Sequence, residues 1–157
     1  MITGLKIAII EFDSREYIEE LELRNKILRK PLGININDEA LNDDDKLDTH
    51  IGAFIDERLL GCLLLKRIDN KVIKMRQVAV DEEYQGKSIG SKMVRYAENF
   101  ARSQGYQKLT LHARKYAVIF YKKLDYEVCG EEFLELNIPH YPMQKYLGYI
   151  FCRYPYC

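Results

Sequence analysis

Six residues in the middle of the chain, Gln85–Gly86–Lys87–Ser88–Ile89–Gly90, have the types and order that bind a phosphate. They follow the apolar Val78–Ala79–Val80 and open a stretch of helical periodicity. The first turn of a helix has backbone N–H groups without internal partners. Their dipoles favour negative charge, and a glycine lets the backbone approach an anion closely. Gln85 to Ser91 is therefore a candidate anion cradle. Two common phosphate loops do not fit. A P-loop ending in Gly86–Lys87–Ser88 would need a glycine at position 81, which is Asp81; Glu82 and Glu83 beside it would repel a nucleoside triphosphate. A dinucleotide fingerprint needs G-x-G-x-x-G, a spacing that Gly86 and Gly90 do not supply.

Groups able to move a proton lie further on. His140 follows Pro139 in what reads as a loop, His112 stands at a strand end, and Glu132 lies between them in sequence. The ordinary pKa of an imidazole, near neutrality, suits proton transfer, and a structural role is open for each histidine. Tyr121 shares a helical apolar stripe with Ala117, Phe120 and Leu124, so from the residues alone it reads as a core tyrosine with a satisfied hydroxyl. The four cysteines have no metal-ligand spacing, and no metal site is expected. Cys62 and Cys129 lie in apolar, strand-like runs and read as small buried hydrophobes. Nothing implies an oxidising compartment, so free thiols in a cytoplasmic protein are expected.

The elements that must position these groups can be read in order. Lys6 to Glu11 reads as a strand. Ser14 caps a helix through about Lys30, ended by Pro31–Leu32–Gly33. Asn35 to Asp48, with Asp43–Asp44–Asp45 at its centre, reads as a solvated acidic loop; the other reading is a lid that attracts a cationic substrate. Three strands follow: Ile51–Ile55; Leu59–Ile68, whose Leu63–Leu64–Leu65 suggests burial on both faces; and Val72–Val80. In the third, Ile73 and Met75 share one parity and Val78 and Val80 the other. A bulge near Arg76–Gln77 would explain the switch, as would a strand end covered on both faces. Then come a helix from Ile89 closed by Gly105, a strand over Lys108–Ala113, a helix over Lys115–Leu124 and a strand over Tyr126–Gly130. A last strand lies within Glu131–Tyr146, where Pro139 and Pro142 suggest an edge position. The class is α+β, or mixed α/β.

The 157 residues suit one domain, expected over residues 1–147 with a tail from 148 to 157. Lys plus Arg and Asp plus Glu are 24 each. This balance argues against a nucleic-acid binder, which usually carries a positive excess. No apolar run approaches the ~20 residues of a membrane span, and the first ten residues lack a signal-peptide pattern. In the tail, Tyr149, Phe151, Tyr154 and Tyr156 read either as a frayed end or as an aromatic patch docking on a second copy in a homodimer.

The strand Val78–Ala79–Val80 with Gln85–Gly86–Lys87–Ser88–Ile89–Gly90 resembles the signature of the GNAT N-acetyltransferases, Gln/Arg-x-x-Gly-x-Gly/Ala after a strand. Ala117 to Tyr126 is similar to that family's A-x-x-F-Y-x-x-x-G-[FY] segment. Gly130–His140 and Leu28–Gly33 resemble the ElaA-like branch of small bacterial members. The resemblance implies a central mixed sheet of six to seven strands with about four helices, and acetyl-CoA as acyl donor. It implies that Val78, Ala79 and Val80 meet the pantetheine arm, that Gln85, Gly86, Lys87, Ser88, Ile89, Gly90 and Ser91 hold the pyrophosphate, and that Ala117 and Phe120 lie by the cofactor. It places Tyr121 near the coenzyme sulfur as general acid. Three positions depart from the family: Ser88 and Asp125 replace glycines, and Arg114 replaces an asparagine. Ser88 is an acceptable N-cap. Arg114 either helps bind a phosphate or is a surface charge.

Direct transfer needs a neutral amine, a base for its proton, and a donor to the thioester oxygen as it gains charge. His140 is the candidate base, with His112 and Glu132 as rivals. The acceptor is a small-molecule or peptide amine. A module that binds coenzyme A or a protein partner without catalysis is the other reading, motivated by the three departures.

Overall fold

The computed structural model describes residues 3–35 and 43–148, and only the backbone of Asp43 and Asp44. Among the described residues there are eight strands: β1 (Lys6–Ile10), β2 (Thr49–Ile55), β3 (Arg58–Arg67), β4 (Val72–Val80), β5 (Lys108–Arg114), β6 (Glu127–Val128), β7 (Phe133–Glu135) and β8 (Ile138–Tyr146). There are four α-helices: α1 (Arg15–Arg24), α2 (Asp43–Leu47), α3 (Ile89–Ser103) and α4 (Val118–Lys123). The class is mixed α+β. The strand count exceeds six to seven because residues 127–146 make three pieces where the sequence pattern suggests two.

The chain divides into two compact units, residues 1–66 with 76–97, and 67–75 with 98–157. β4 belongs to both, passing from the second to the first after Met75. In the first unit the strands are ordered β1-β2-β3-β4, and in the second β4-β5-β8-β6, with β7 also on β8. β4 and β5 run parallel; β1/β2, β2/β3, β5/β8, β6/β8 and β7/β8 are antiparallel.

In the first unit, Ser14 accepts a hydrogen bond from the Tyr17 N–H at 3.1 Å and caps α1. The helix passes through one π-type turn (Asn25–Arg29) and a 3₁₀ turn (Lys30–Leu32), and Gly33 ends it in the left-handed region. Leu63, Leu64 and Leu65 are all sealed, so β3 is covered on both faces. Ile10, Tyr17, Leu23, Leu59, Cys62 and Ala79 form one apolar cluster. Met93 lies under Gly61, where a Cβ would meet its Cε at 2.9 Å.

The acidic stretch is not a solvated loop throughout. Asp45 is 4% exposed. Its Oδ2 accepts from the Tyr17 hydroxyl at 2.6 Å and from Arg24 at 2.9 Å. Arg24 also donates to Glu20 at 3.1 Å, and Glu20 lies 2.9 Å from His50 Nδ1. His50 Nε2 is 2.6 Å from the Asp45 carbonyl. A carbonyl only accepts, so that nitrogen carries a proton. Burial would lower the pKa of His50; the Glu20 carboxylate and the Asp45 carbonyl outweigh it and raise it. Burial would raise that of Asp45, but Arg24 and Tyr17 hold it below the usual carboxylate range. Two cations and two anions thus neutralise each other inside the unit.

In the second unit β8 is an interior strand, paired with β5 on one side and with β7 and β6 on the other. Its prolines are not at an edge. In an antiparallel strand a residue's N–H and C=O point to one side. The Pro142 carbonyl accepts from the Cys129 N–H at 2.9 Å. The missing Pro142 N–H therefore faces the gap between β7 and β6, where it interrupts no ladder. Pro139 faces the other side, beyond the end of β5 at Arg114. Leu136 and Asn137, both at positive φ, make the two-residue β7–β8 turn. Cys62 is buried as expected, but Cys129 is exposed, because β6 is too short to carry it inward. Buried Glu98 binds the Tyr126 hydroxyl at 2.8 Å and Lys145 at 3.0 Å. Cys152, Cys157 and the aromatic tail lie outside the described residues.

Candidate active site

The first unit carries the bulged strand and the anion cradle. Gln77 has φ 54° in the middle of β4, the left-handed kink expected of a bulge. Its carbonyl accepts from the buried Cys62 thiol at 3.7 Å, and its side chain accepts from Arg29 at 3.2 Å. Arg76 binds Asp48 at 3.2 Å. Both bulge residues are thus held by side chains from residues 29–48. The β4–β5 register ends at Met75 opposite Leu111. Among the described residues no register pair joins Arg76–Val80 to β5. Ala79 is buried in the apolar cluster, while Val78 and Val80 are half-buried.

The loop after β4 begins with Asp81, whose carboxylate caps a short 3₁₀ turn (Glu82–Tyr84) through the Glu83 N–H. The Gln85 side chain donates to the Val80 carbonyl at 2.9 Å and ties the loop to the strand end. Gly86 has φ 76°, and a Cβ there would meet nothing within 4 Å. Among the described residues the amides of Gly86, Lys87 and Ser88 donate to no protein group. Those of Ile89, Gly90 and Ser91 form the first turn of α3, where the helix supplies no acceptor. Lys87 lies 5.6 Å from the Tyr84 ring centroid and adds a positive charge. These features fit a pyrophosphate.

Ser88 is not a conventional N-cap. Its φ is 67°, whereas a capping serine is extended. Its carbonyl accepts from Lys92 at 3.1 Å and from the Ser91 hydroxyl at 3.0 Å, but its own hydroxyl caps no amide among the described residues.

The second unit holds the candidate proton donors and acceptors. Tyr121, on α4, is 7% exposed and packs edge-on against Phe120 and Tyr126, with ring centroids 4.9 and 5.8 Å away. Its hydroxyl has no protein partner among the described residues, and it is not sealed: Arg24 Nε alone there is both buried and unpartnered. The expected satisfied core hydroxyl is absent. Burial, with Tyr116 adding to it, pushes the Tyr121 hydroxyl above the ordinary tyrosine range. It therefore stays protonated, as an acid must. Ala117 ends the 3₁₀ turn before α4, and Phe120 is half-buried rather than core.

His140 is in strand β8 rather than a loop, 5% exposed and opposite Arg114 of β5. Its Nδ1 lies 2.7 Å from the Ile138 carbonyl, so Nδ1 bears the proton and Nε2 is left to change state. Facing Nε2 at 3.5 Å is Glu135 Oε2, a residue that sequence reasoning missed; its position in a hairpin with no glycine gave no signal. His112 is more exposed, with Nδ1 near Lys74 and Glu135. Glu132 is engaged by Lys115 at 3.0 Å. Among the described residues no group of three His, Cys, Asp or Glu is arranged to hold a metal, and no helix is long and apolar enough to cross a membrane.

The domain described as "Acetyltransferase (GNAT) domain" matches residues 12–147. The chain belongs to the GNAT acetyltransferase family. A Bacillus subtilis protein named as an acetyltransferase is 29% identical over 130 residues, covering 79% of this chain and 85% of its own length. Escherichia coli ElaA shares the fold, with a TM-score of 0.77 at 17% identity, over 90% of this chain and 99% of ElaA. So does a GNAT acetyltransferase from Elizabethkingia anophelis with acetyl-CoA bound, at 0.72 and 15%, over 92% and 99%.

Proposed function

We propose that this GNAT-family chain moves an acetyl group from acetyl-CoA to a primary amine by direct attack. The observation that carries the reading is the bulged β4 followed by a loop whose amides lack protein partners and whose Gly86 leaves open space. In this reading the backbone of Val78 and Val80 holds the pantetheine arm. The amides of residues 85–91, with Lys87, hold the pyrophosphate. Acetyl-CoA supplies the activated acyl group. Tyr121 gives its proton to the departing thiolate, and His140 takes the proton of the acceptor amine through Nε2. The setting is cytoplasmic and the acceptor a small amine or peptide amine.

Calorimetric titration with acetyl-CoA, with ATP and NAD as controls, tests it. Saturable binding of acetyl-CoA alone supports the reading. Absence of binding favours a non-catalytic module, the alternative motivated by Ser88, Arg114 and Asp125 standing where the family has other residues.

A further inference from the structure

The β7–β8 hairpin gathers titratable groups that the reading above uses only in part. Glu135 Oε2 lies 3.5 Å from His140 Nε2, and Oε1 lies 3.2 Å from His112 Nδ1. The Phe133 ring stands between the imidazoles, edge-on to His112 at 4.8 Å and stacked on His140 at 5.8 Å. His112 Nδ1 also lies 3.3 Å from Lys74 Nζ. It can donate to Glu135 or accept from Lys74, and in either state positive charge or an N–H lies on the Oε1 side. Oε2 is thereby turned toward His140. Just before β7, Glu132 is paired with Lys115, and Arg114 is opposite His140 in register.

Exposure separates the two partners. The His140 side chain is 7% exposed and the Glu135 side chain 46%. With Nδ1 committed to the Ile138 carbonyl, Nε2 is the one nitrogen of His140 that can gain a proton, and the carboxylate stands in front of it. Of the two groups, Glu135 is the one open to solvent.

We propose that Glu135 is the acceptor-facing end of a proton relay, docking the ammonium of a cationic amine and passing its proton to His140 Nε2. This rests on the reading of His140 as base. The N–H bond of the ammonium breaks, and its electron pair stays on nitrogen, which becomes the nucleophile. The proton moves to Oε2 and then to Nε2. Glu135 ends as a carboxylate beside an imidazolium it stabilises, and the proton leaves to solvent by the same path. No oxidant or reductant is involved.

Glu135→Gln in the full chain, compared with wild type, tests the proposal. With the amine of highest turnover from a panel, kcat/KM should fall about 10²-fold while acetyl-CoA affinity stays within twofold. The loss should be confined to amines that are cationic at the assay pH and should show in KM as well as kcat, because the same carboxylate docks the ammonium; an amine that is neutral at that pH should keep its KM within twofold. Glu135→Asp should recover part of the rate. Equal losses for cationic and neutral amines would mean a structural role and overturn the relay. A second arm does not depend on turnover: calorimetric binding of the cationic amine in the presence of coenzyme A should weaken at least tenfold in Glu135→Gln. Unchanged amine binding overturns the proposal even if acetyl-CoA binds and amines are acetylated. If no amine in the panel is acetylated, the proposed function fails, and the calorimetric arm still decides whether Glu135 holds an ammonium.

Discussion

Replacing Asp45 by alanine should be among the most damaging single changes in the first unit. The substitution removes the acceptor of the Tyr17 hydroxyl and two contacts of the Arg24 guanidinium, at 2.9 and 3.4 Å. Arg24 is 3% exposed and its Nε is already without a partner. It would keep one carboxylate, Glu20, which it shares with His50. The buried group would then carry two cations and one anion. Breaking a buried pair from one side costs about 3–5 kcal/mol, mostly through the charge left behind. Against a total stability of about 5–15 kcal/mol for a domain, that is a large share. With a urea m-value of about 2 kcal/mol/M, the midpoint should fall by about 2 M with m unchanged. Asp45→Asn, which keeps an acceptor for one donor, should fall between. Arg15→Ala, whose pairs with Glu16 and Glu19 are exposed, should stay within about 0.5 kcal/mol of wild type. A loss below about 1 kcal/mol for Asp45→Ala would refute the reasoning and restore the solvated reading of the acidic run.

The same cluster makes stability depend on pH in two directions. His50 has a folded pKa above its unfolded value, so its contribution is full below about pH 6.5 and is lost as pH rises through the folded value. Asp45 has a folded pKa below its unfolded value, so its contribution is present above about pH 4 and is lost as pH falls through the folded value. Urea midpoints should therefore peak in mildly acidic buffer, and His50→Gln should remove the alkaline decline. Ser88 and Asp125 sit at φ 67° and 71°, so glycine at either should raise stability by up to about 1–2 kcal/mol, less at Asp125 because aspartate tolerates this region. Ser88→Gly should also tighten acetyl-CoA binding by calorimetry, and unchanged affinity would show that the loop is already relaxed. Tyr121→Phe should lower kcat at least tenfold while leaving acetyl-CoA affinity within twofold, and an unchanged kcat would sink its role as acid.

Local pattern was enough wherever the determinant is local. The Ser14 cap, the leucine run of β3 and the helix from Ile89 follow from spacing alone, and each lies where spacing places it. Burial of Asp45 is a different kind of fact. Three consecutive aspartates belong in solvent unless partners far away in sequence neutralise them. Here the partners are Tyr17 and Arg24, 28 and 21 residues earlier. Glu20 and His50 are 30 residues apart. The interior place of β8 was likewise illegible, since the edge rule for proline counts lost hydrogen bonds and cannot know which side of the strand is vacant. Exposure of Cys129 depends on β6 being two residues long, which its apolar neighbours do not reveal.

The departures from the family pattern show why residue type and conformation must be read together. Ser88 and Asp125 stand where glycine is usual in the family, and with Arg114 they motivate the non-catalytic reading. Both prove to be left-handed positions. Asp125 follows Leu124, the C-cap of α4, where an αL residue commonly ends a helix. The backbone path that glycine favours is therefore kept although the glycine is absent. Space at the cradle does not decide against a phosphate either, because a Cβ at Gly86 would meet nothing within 4 Å. The cost of the two substitutions is conformational rather than steric. It should appear in stability at both positions, and in cofactor binding at Ser88 alone, so measuring both variants separates strain in the fold from damage to the site.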